Sequence, residues 1–327
     1  LPNDHGFDAY EGIPYSNDMW APYDPATKLW KKSKDWQTPL PWMVDGKSVA
    51  VVKNATDQSL LTHATTKAAL NFIREQGRKK EPFFAYLPYA AVHLPRVGHP
   101  DFLPAGAPTS KANKTGVELT VHLKAQVEEL DAAVGQVFSA LKEQGVENNT
   151  IVLFMSDNGG SRGTSMGPLK GGKGSLYEGG PRTPFLIHWP GFIPAGKVSH
   201  EIGVSSDLLP TLAKLCGGKL SGNKMDGRDL SDLFLRPDTA KSPHEGFAHK
   251  GKAYRLGKWK MVGKQLFDLE KDLGEKRNVA KENPEVLKKL SDKTNKFFSV
   301  METEVRPHAN MPDPSPIIDE QQAHALP

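Results

Sequence analysis

The chain has 327 residues, enough for one large domain with an appendage or for two ordinary domains. Its 42 Lys+Arg against 38 Asp+Glu leave a net charge of only +4, and no basic run concentrates it, which excludes a nucleic-acid-binding stripe. No apolar run approaches the ~18 residues of a membrane helix, and the single cysteine, Cys216, excludes intrachain disulfides, cysteine-based zinc sites and a CxxC redox motif.

Taken in chain order, residues 4–41 are aromatic, polar and proline-containing, and read as loop and turn. SVAVVK at 48–53 reads as a short strand. Residues 57–76 place Leu60, Leu61, Ala64, Ala68, Ala69, Phe72 and Ile73 at helical spacing behind Asp57 as the cap. PFFAY at 82–86 reads as a buried strand, and 116–145 as the longest helix, with Val127, Leu130, Val134, Val137, Phe138 and Leu141 on one face. TIVLFM at 150–155 is an apolar run of the kind a central parallel strand shows. PFLIHW at 184–189 reads as a third buried strand with His188 in the core, and 206–215 as a helix opened by a Ser/Asp pair. This alternation predicts a layered α/β sheet. After about Phe247 the texture changes: 253–262 and 265–269 read as antiparallel strands, 285–300 as a closing helix, and the proline-rich segment from Arg306 as an extended arm.

Two constellations carry chemistry. Ser156-Asp157-Asn158-Gly159-Gly160 follows the TIVLFM strand directly. Ligands of open α/β sheets bind at the carboxyl ends of strands, and an adjacent carboxylate and carboxamide offer oxygen donors to a hard divalent cation. Such tetrapeptides are also common in plain turns. The second is the glycine-rich segment 167–182. It misses the GxxxxGK[ST] spacing because Gly174 follows Lys173. Lys173 instead sits among glycines, where an ammonium can approach an anionic ester and neutralise charge on a leaving oxygen. Glu178 and Arg182 read as an ion pair that fixes this loop. His93 also falls beyond a strand's carboxyl end, which suits an acid-base role, while His249 could line a pocket from the C-terminal part.

These residues resemble a known family. HGFD and GIPYSND near the amino terminus, PFFAYLPYAAVHLP, VEELDAAVGQV, TIVLFMSDNGG, GPLKGGKGSLYEGGPRTPFLIHWPG, SSDLLPTLAKLCG and YRLGKWKMV…LFDLEKDLGEKRNVA follow, in order, the pattern of the type I sulfatases, the arylsulfatase group of the alkaline-phosphatase-like superfamily. The resemblance implies an α/β/α sandwich without its amino-terminal strand and helix, carrying a smaller C-terminal α+β subdomain. The implied boundaries are 1–245 for the sulfatase-like domain, 246–305 for the small subdomain and 306–327 for the tail. Carried over residue by residue, Asp157 and Asn158 resemble two calcium ligands, with Mg2+ as the alternative ion. Lys173 resembles the lysine at the sulfate and leaving oxygen, His93 the general acid, and Ser16 a hydroxyl that hydrogen-bonds the sulfate.

The family's paired-aspartate strand, its Cys/Ser-x-Pro-x-Arg formylglycine motif and its Lys-x-His pair do not occur here, and Cys216 ends a structural helix. The resemblance therefore implies that the chain matches the carboxyl-terminal two-thirds of a sulfatase, with the formylglycine nucleophile upstream of Leu1. Apolar sheet surface uncovered in this way would favour a homo-oligomer. The expected reaction is hydrolysis of a sulfate ester, on an aryl sulfate or sulfated glycan, in the periplasm, lysosome or exterior. Two other readings stand beside it. One is a sulfatase-fold remnant that binds an anion or metal, and the other a metal-assisted esterase or phosphatase.

Overall fold

A computed structural model describes residues 1–304 except positions 25, 28, 33, 35, 36, 108–116, 162, 221 and 223, so the arm expected over 306–327 lies outside the described residues. The chain divides into two units, Leu1–Glu147 and the described part of Asn148–Ala309.

In the first unit, β1 (Glu11–Gly12) is followed by the short antiparallel pair β2 (Tyr23–Asp24) and β3 (Leu29–Trp30), then by β4 (Leu40–Val44) and β5 (Lys47–Val52). The expected strand at 48–53 is thus one arm of a hairpin. Asp45 and Gly46 turn it with φ of 44° and 83°, the paired positive dihedrals whose twist matches that of the flanking strands. Pro41 hides the other arm in the sequence. It is tolerated because β1 pairs only with Met43 and Val44, so Pro41 lies beyond the end of that ladder. Leu40 faces Val52 and Trp42 faces Ala50 across the hairpin, and these four pack with Leu61 and Ala64 into a buried cluster.

Leu61 and Ala64 belong to the helical stretch expected over 57–76, which forms as α1 (Ala55–Ser59) and α2 (Leu61–Lys79). Its cap is Asn54 rather than Asp57. The Asn54 side chain accepts the Asp57 N–H at 3.0 Å, while the Asp57 carboxylate reaches back to the N–H of Lys53 at 2.7 Å. The last turn carries Arg78 and Lys79, placed favourably against the helix dipole. α2 lies against α3 (Val117–Glu143), which buries Ala133, Val137, Ala140 and Leu141. The PFFAY segment departs from its expected state. Half-buried Phe83 and Ala85 alternate with exposed Phe84 and Tyr86, as in a strand, but no ladder forms along it among the described residues. Period-two patterning specifies faces; it does not supply a neighbour.

In the second unit, β6 (Val152–Met155) and β7 (Phe185–His188) form a two-stranded antiparallel ribbon. Both were expected to be buried, and β6 to be parallel. Phe154, Phe185 and Leu186 are exposed instead, and so is His188; Phe154, Leu186 and His188 share one face of the ribbon, which is left largely open to solvent. The helix expected at 206–215 appears as α4 (Leu208–Leu215) after a short turn, followed by α5 (Ser231–Leu235). The C-terminal strands differ in number from the reading: the stretch 253–262 folds back on itself at Gly257, φ 54°, into β9 (Ala253–Leu256) and β10 (Trp259–Val262). With the unread β8 (Phe247–His249) and the expected β11 (Gln265–Asp268) these make an antiparallel sheet in the order β11-β10-β9-β8. α6 (Pro284–Thr303) closes one face, packing Leu290 with Ala248, Tyr254, Met261 and Leu266.

Candidate active site

The turn at 156–160 leaves the end of β6 and is laced to the glycine-rich segment 167–182. Ser156 Oγ donates to the carbonyl of Asn158 at 3.1 Å, which tightens the turn that carries Asp157 and Asn158. Gly159 N–H donates to Gly180 O at 2.8 Å, and Lys173 N–H donates to Gly160 O at 2.9 Å. Within the segment, Gly179 N–H closes on Lys170 O at 2.8 Å. The glycines are a condition of this approach. A Cβ at Gly159 would lie 1.8 Å from Gly179 O, and one at Gly172 2.6 Å from Gly160 O. The structure therefore brings Asp157, Asn158 and Lys173 onto one pair of interlocked loops. Asp157 and Lys173 are exposed there, and Asn158 is half-buried.

The back of the glycine-rich segment rests on the C-terminal sheet. Leu176 and Tyr177 pack on Ala253, Val262 and Phe267. Tyr177 Oη donates to Gln265 Oε1 at 2.7 Å, and the Lys170 ammonium lies 3.8 Å above the Tyr177 ring centre. Glu178 is 2 % exposed, and its Oε1 accepts from Lys260 Nζ at 2.8 Å while Oε2 accepts from Arg255 at 3.3 Å. The expected Glu178–Arg182 pair exists, but at 3.8 Å and with Arg182 40 % exposed, so it is the weaker contact. Glu275 Oε2 accepts the backbone N–H of Glu178 at 2.7 Å, and burial pushes the Glu275 carboxyl above its usual pKa. His249, at the end of β8, is half-buried, and burial followed by the Lys260 and Lys250 charges pulls its imidazole below the usual value. Neither Lys260 nor Glu275 was singled out from the sequence. A lysine inside the apolar strand WKMV was the available signal.

Ser16 and His93 belong to the first unit. Ser16 is exposed and its carbonyl accepts Met19 N–H at 3.0 Å. His93 is partly exposed, with Nδ1 2.8 Å from Leu94 O. Their neighbours Tyr15 and Ala90 both pack on the hairpin cluster of Leu40, Trp42, Ala50 and Val52, so one core anchors both loops.

Asp157 and Asn158 are hard oxygen donors, the kind that Ca2+ or Mg2+ takes, and they fit such an ion in kind. Among the described residues no cluster of three or more His, Cys, Asp or Glu side chains could hold a metal by itself. The two residues therefore amount to part of the ~6–8 oxygens that calcium prefers.

Residues 2–218 match the sulfatase family model. The chain belongs to the sulfatase family. Among relatives of this sulfatase chain, N-acetylgalactosamine-6-sulfatase of Mus musculus is 32% identical over 276 residues, covering 79% of the chain and 48% of that protein. Arylsulfatase A of Homo sapiens is 35% identical over 255 residues, covering 75% of the chain and 47% of that protein. The chain thus spans about half the length of the curated relatives it matches. Crystal structures of Ps i-CgsB, one of them in complex with k-i-k-neocarrahexaose, superpose with a TM-score of 0.71 at 33% identity over 91% of this chain and 67% of that one. The fold is accordingly the alkaline-phosphatase-like α/β class with a smaller C-terminal α+β part. Members of this family generally use a metal ion.

Proposed function

We propose that the chain carries the metal-ligand and leaving-group side of a sulfate-ester hydrolase. The observation that carries this reading is the backbone bond from Lys173 to Gly160, 2.9 Å, which fixes the lysine beside the turn that bears Asp157 and Asn158. Cleaving a sulfate monoester places negative charge on the departing oxygen. An ammonium held among glycines neutralises that charge without reorganising, and proton donation by an imidazole completes departure as an alcohol. Lys173 takes the first role and His93 the second, while Ser16 hydrogen-bonds the sulfate; the last two assignments rest on the family pattern. Asp157 and Asn158 would hold Ca2+, or Mg2+ in its place. When bound, the cation supplies positive charge toward the ester oxygens. The attacking group implied by the family, formylglycine, has no counterpart motif among these 327 residues.

The names of the relatives favour a sulfated sugar as substrate: one is an N-acetylgalactosamine-6-sulfatase, and Ps i-CgsB is seen with k-i-k-neocarrahexaose. No described helix is long and apolar enough to cross a membrane, and we place the enzyme in a periplasmic, lysosomal or extracellular setting, as for the family.

The test is turnover of a chromogenic aryl sulfate by the natural polypeptide. Chelator should remove activity and added Ca2+ restore it. Lys173→Ala should lower kcat by about 10²–10³-fold, as loss of one preorganised charge-stabilising group does, with a smaller change in KM. Unchanged kcat in Lys173→Ala, or turnover of the phosphate analogue in preference to the sulfate, would overturn the assignment.

A further inference from the structure

We infer that Glu178, Lys260 and Glu275 are positioning residues for Lys173, and that one face of the C-terminal sheet is the mount of its loop. The inference rests on the catalytic reading of Lys173 given above.

Strand alternation sorts the sheet into two faces. On β10, Met261 turns toward α6, where it joins Leu290, Tyr254 and Leu266. Lys260 and Val262 turn the other way. The register sets Arg255 and Phe267 opposite Lys260, and Ala253 and Gln265 opposite Val262. Each of these six meets the glycine-rich segment. Ala253, Val262 and Phe267 pack on Leu176 and Tyr177, Gln265 takes the Tyr177 hydroxyl, and Arg255 and Lys260 hold the Glu178 carboxylate. The sheet therefore has a helix on one side and the loop of Lys173 on the other.

This loop needs an external support. Gly171, Gly172 and Gly174 flank Lys173, and glycine loses more backbone freedom on ordering than any other residue. Glu178, five positions on, is gripped at two points: by Lys260 and Arg255 at its carboxylate and by Glu275 at its backbone N–H. Lys170 is tied as well, its ammonium donating to Glu275 O at 3.1 Å. The next bonds in the chain are Gly179 to Lys170 and Gly159 to Gly180. A shift of Glu178 is thus transmitted to both loops of the site. Lys260 is 3 % exposed, and well-packed apolar residues would give comparable stability at such a position. What an apolar pair would not give is directional fixing of one carboxylate. Glu275 adds a second sign of constraint, a φ of 51° in the left-handed region that residues with a Cβ rarely take.

The experiment compares wild type with the double variant Glu178→Gln/Lys260→Met, which removes both buried charges and leaves the partly exposed Arg255 facing a neutral amide. Amide hydrogen exchange and thermal unfolding are measured on each. The expected result is a Tm within a few degrees of wild type, exchange at least tenfold faster within 167–182, and unchanged exchange in α6 and in β10–β11. On an aryl sulfate, kcat should fall about tenfold with little change in KM. Loop exchange equal to wild type in the folded double variant would overturn the inference, since the pair would then serve stability alone. Should the double variant lose its sheet, Glu275→Ala removes the acceptor of the Glu178 N–H and leaves both side chains of the ion pair in place. It should accelerate exchange in the same segment, and no acceleration again overturns the mount. A wild-type protein without sulfate-ester turnover whose variants still loosen the loop would sink the catalytic reading and leave the mount standing.

Discussion

Glu129 on α3 and Glu178 on the glycine-rich loop are both buried carboxylates, and their surroundings differ in kind. Glu129 lines a cleft of about 400 Å³ between α2 and α3, with His63, His99 and Asp101 nearby. Its Oε1 meets no hydrogen-bond donor among the described residues. Burial, aided by the Asp101 charge and opposed by the His63 backbone N–H, pushes its pKa up to about 7. Glu178 has a lysine at 2.8 Å and an arginine at 3.3 Å, both from the sheet beneath it. Burial alone thus penalises a charge and makes it pH-sensitive. Burial against a fixed counter-charge turns the same group into a geometric tie. The first arrangement tolerates a proton; the second depends on an ion pair staying whole.

Breaking the tie should give the largest effect. Lys260→Met alone leaves Glu178 buried without its closest cation and should cost about 3–5 kcal/mol in urea unfolding, whereas replacing both partners should be close to neutral. Equal losses in the single and double variants would erase the contrast between the two glutamates. The Glu129 side sharpens it through pH. A carboxyl raised from 4.5 to about 7 contributes no penalty below pH 4.5, and stability is lost as pH rises between those values. Each pH unit in that interval weighs about 1.4 kcal/mol, so the loss is on the order of 3 kcal/mol. Urea midpoints followed from pH 4.5 to about 8 should show this decline in wild type, and Glu129→Gln should flatten it. The smallest effect belongs to Arg182→Ala. Its contact with Glu178 is 3.8 Å long and Arg182 is 40 % exposed, so the loss should stay under about 1 kcal/mol. A cost matching that of Lys260→Met would mean that the local partner, not the distant one, holds the carboxylate.

That ordering also shows where sequence reading succeeds and where it stops. Arg182 is four residues from Glu178 and visible as a pair in the sequence; Lys260 is 82 residues away and reaches Glu178 only because β10 lies under the loop. The helical face of 57–76 was readable, yet the cap moved from Asp57 to Asn54 because both side chains bond backbone groups on the other's side. The β4–β5 hairpin was half read, its Asp45-Gly46 turn masked by Pro41 in the preceding strand. β6 and β7 were recognised as strands from their apolar runs, but their antiparallel pairing and exposed faces were not. An apolar run shows that a strand seeks cover and carries no information about which neighbour provides it.

By itself, the sequence determined the elements with strong local periodicity, the Asp157-Asn158 turn that follows β6, and the glycines that let the segment of Lys173 approach that turn. These follow from side-chain spacing and backbone freedom, which are properties of neighbouring residues. Only the tertiary structure decided that Lys173 is bonded to Gly160 and that the loop's weight falls on Lys260 and Glu275. Such contacts join residues far apart in the chain, and they exist only once the packing of sheet and loop has excluded water from between them.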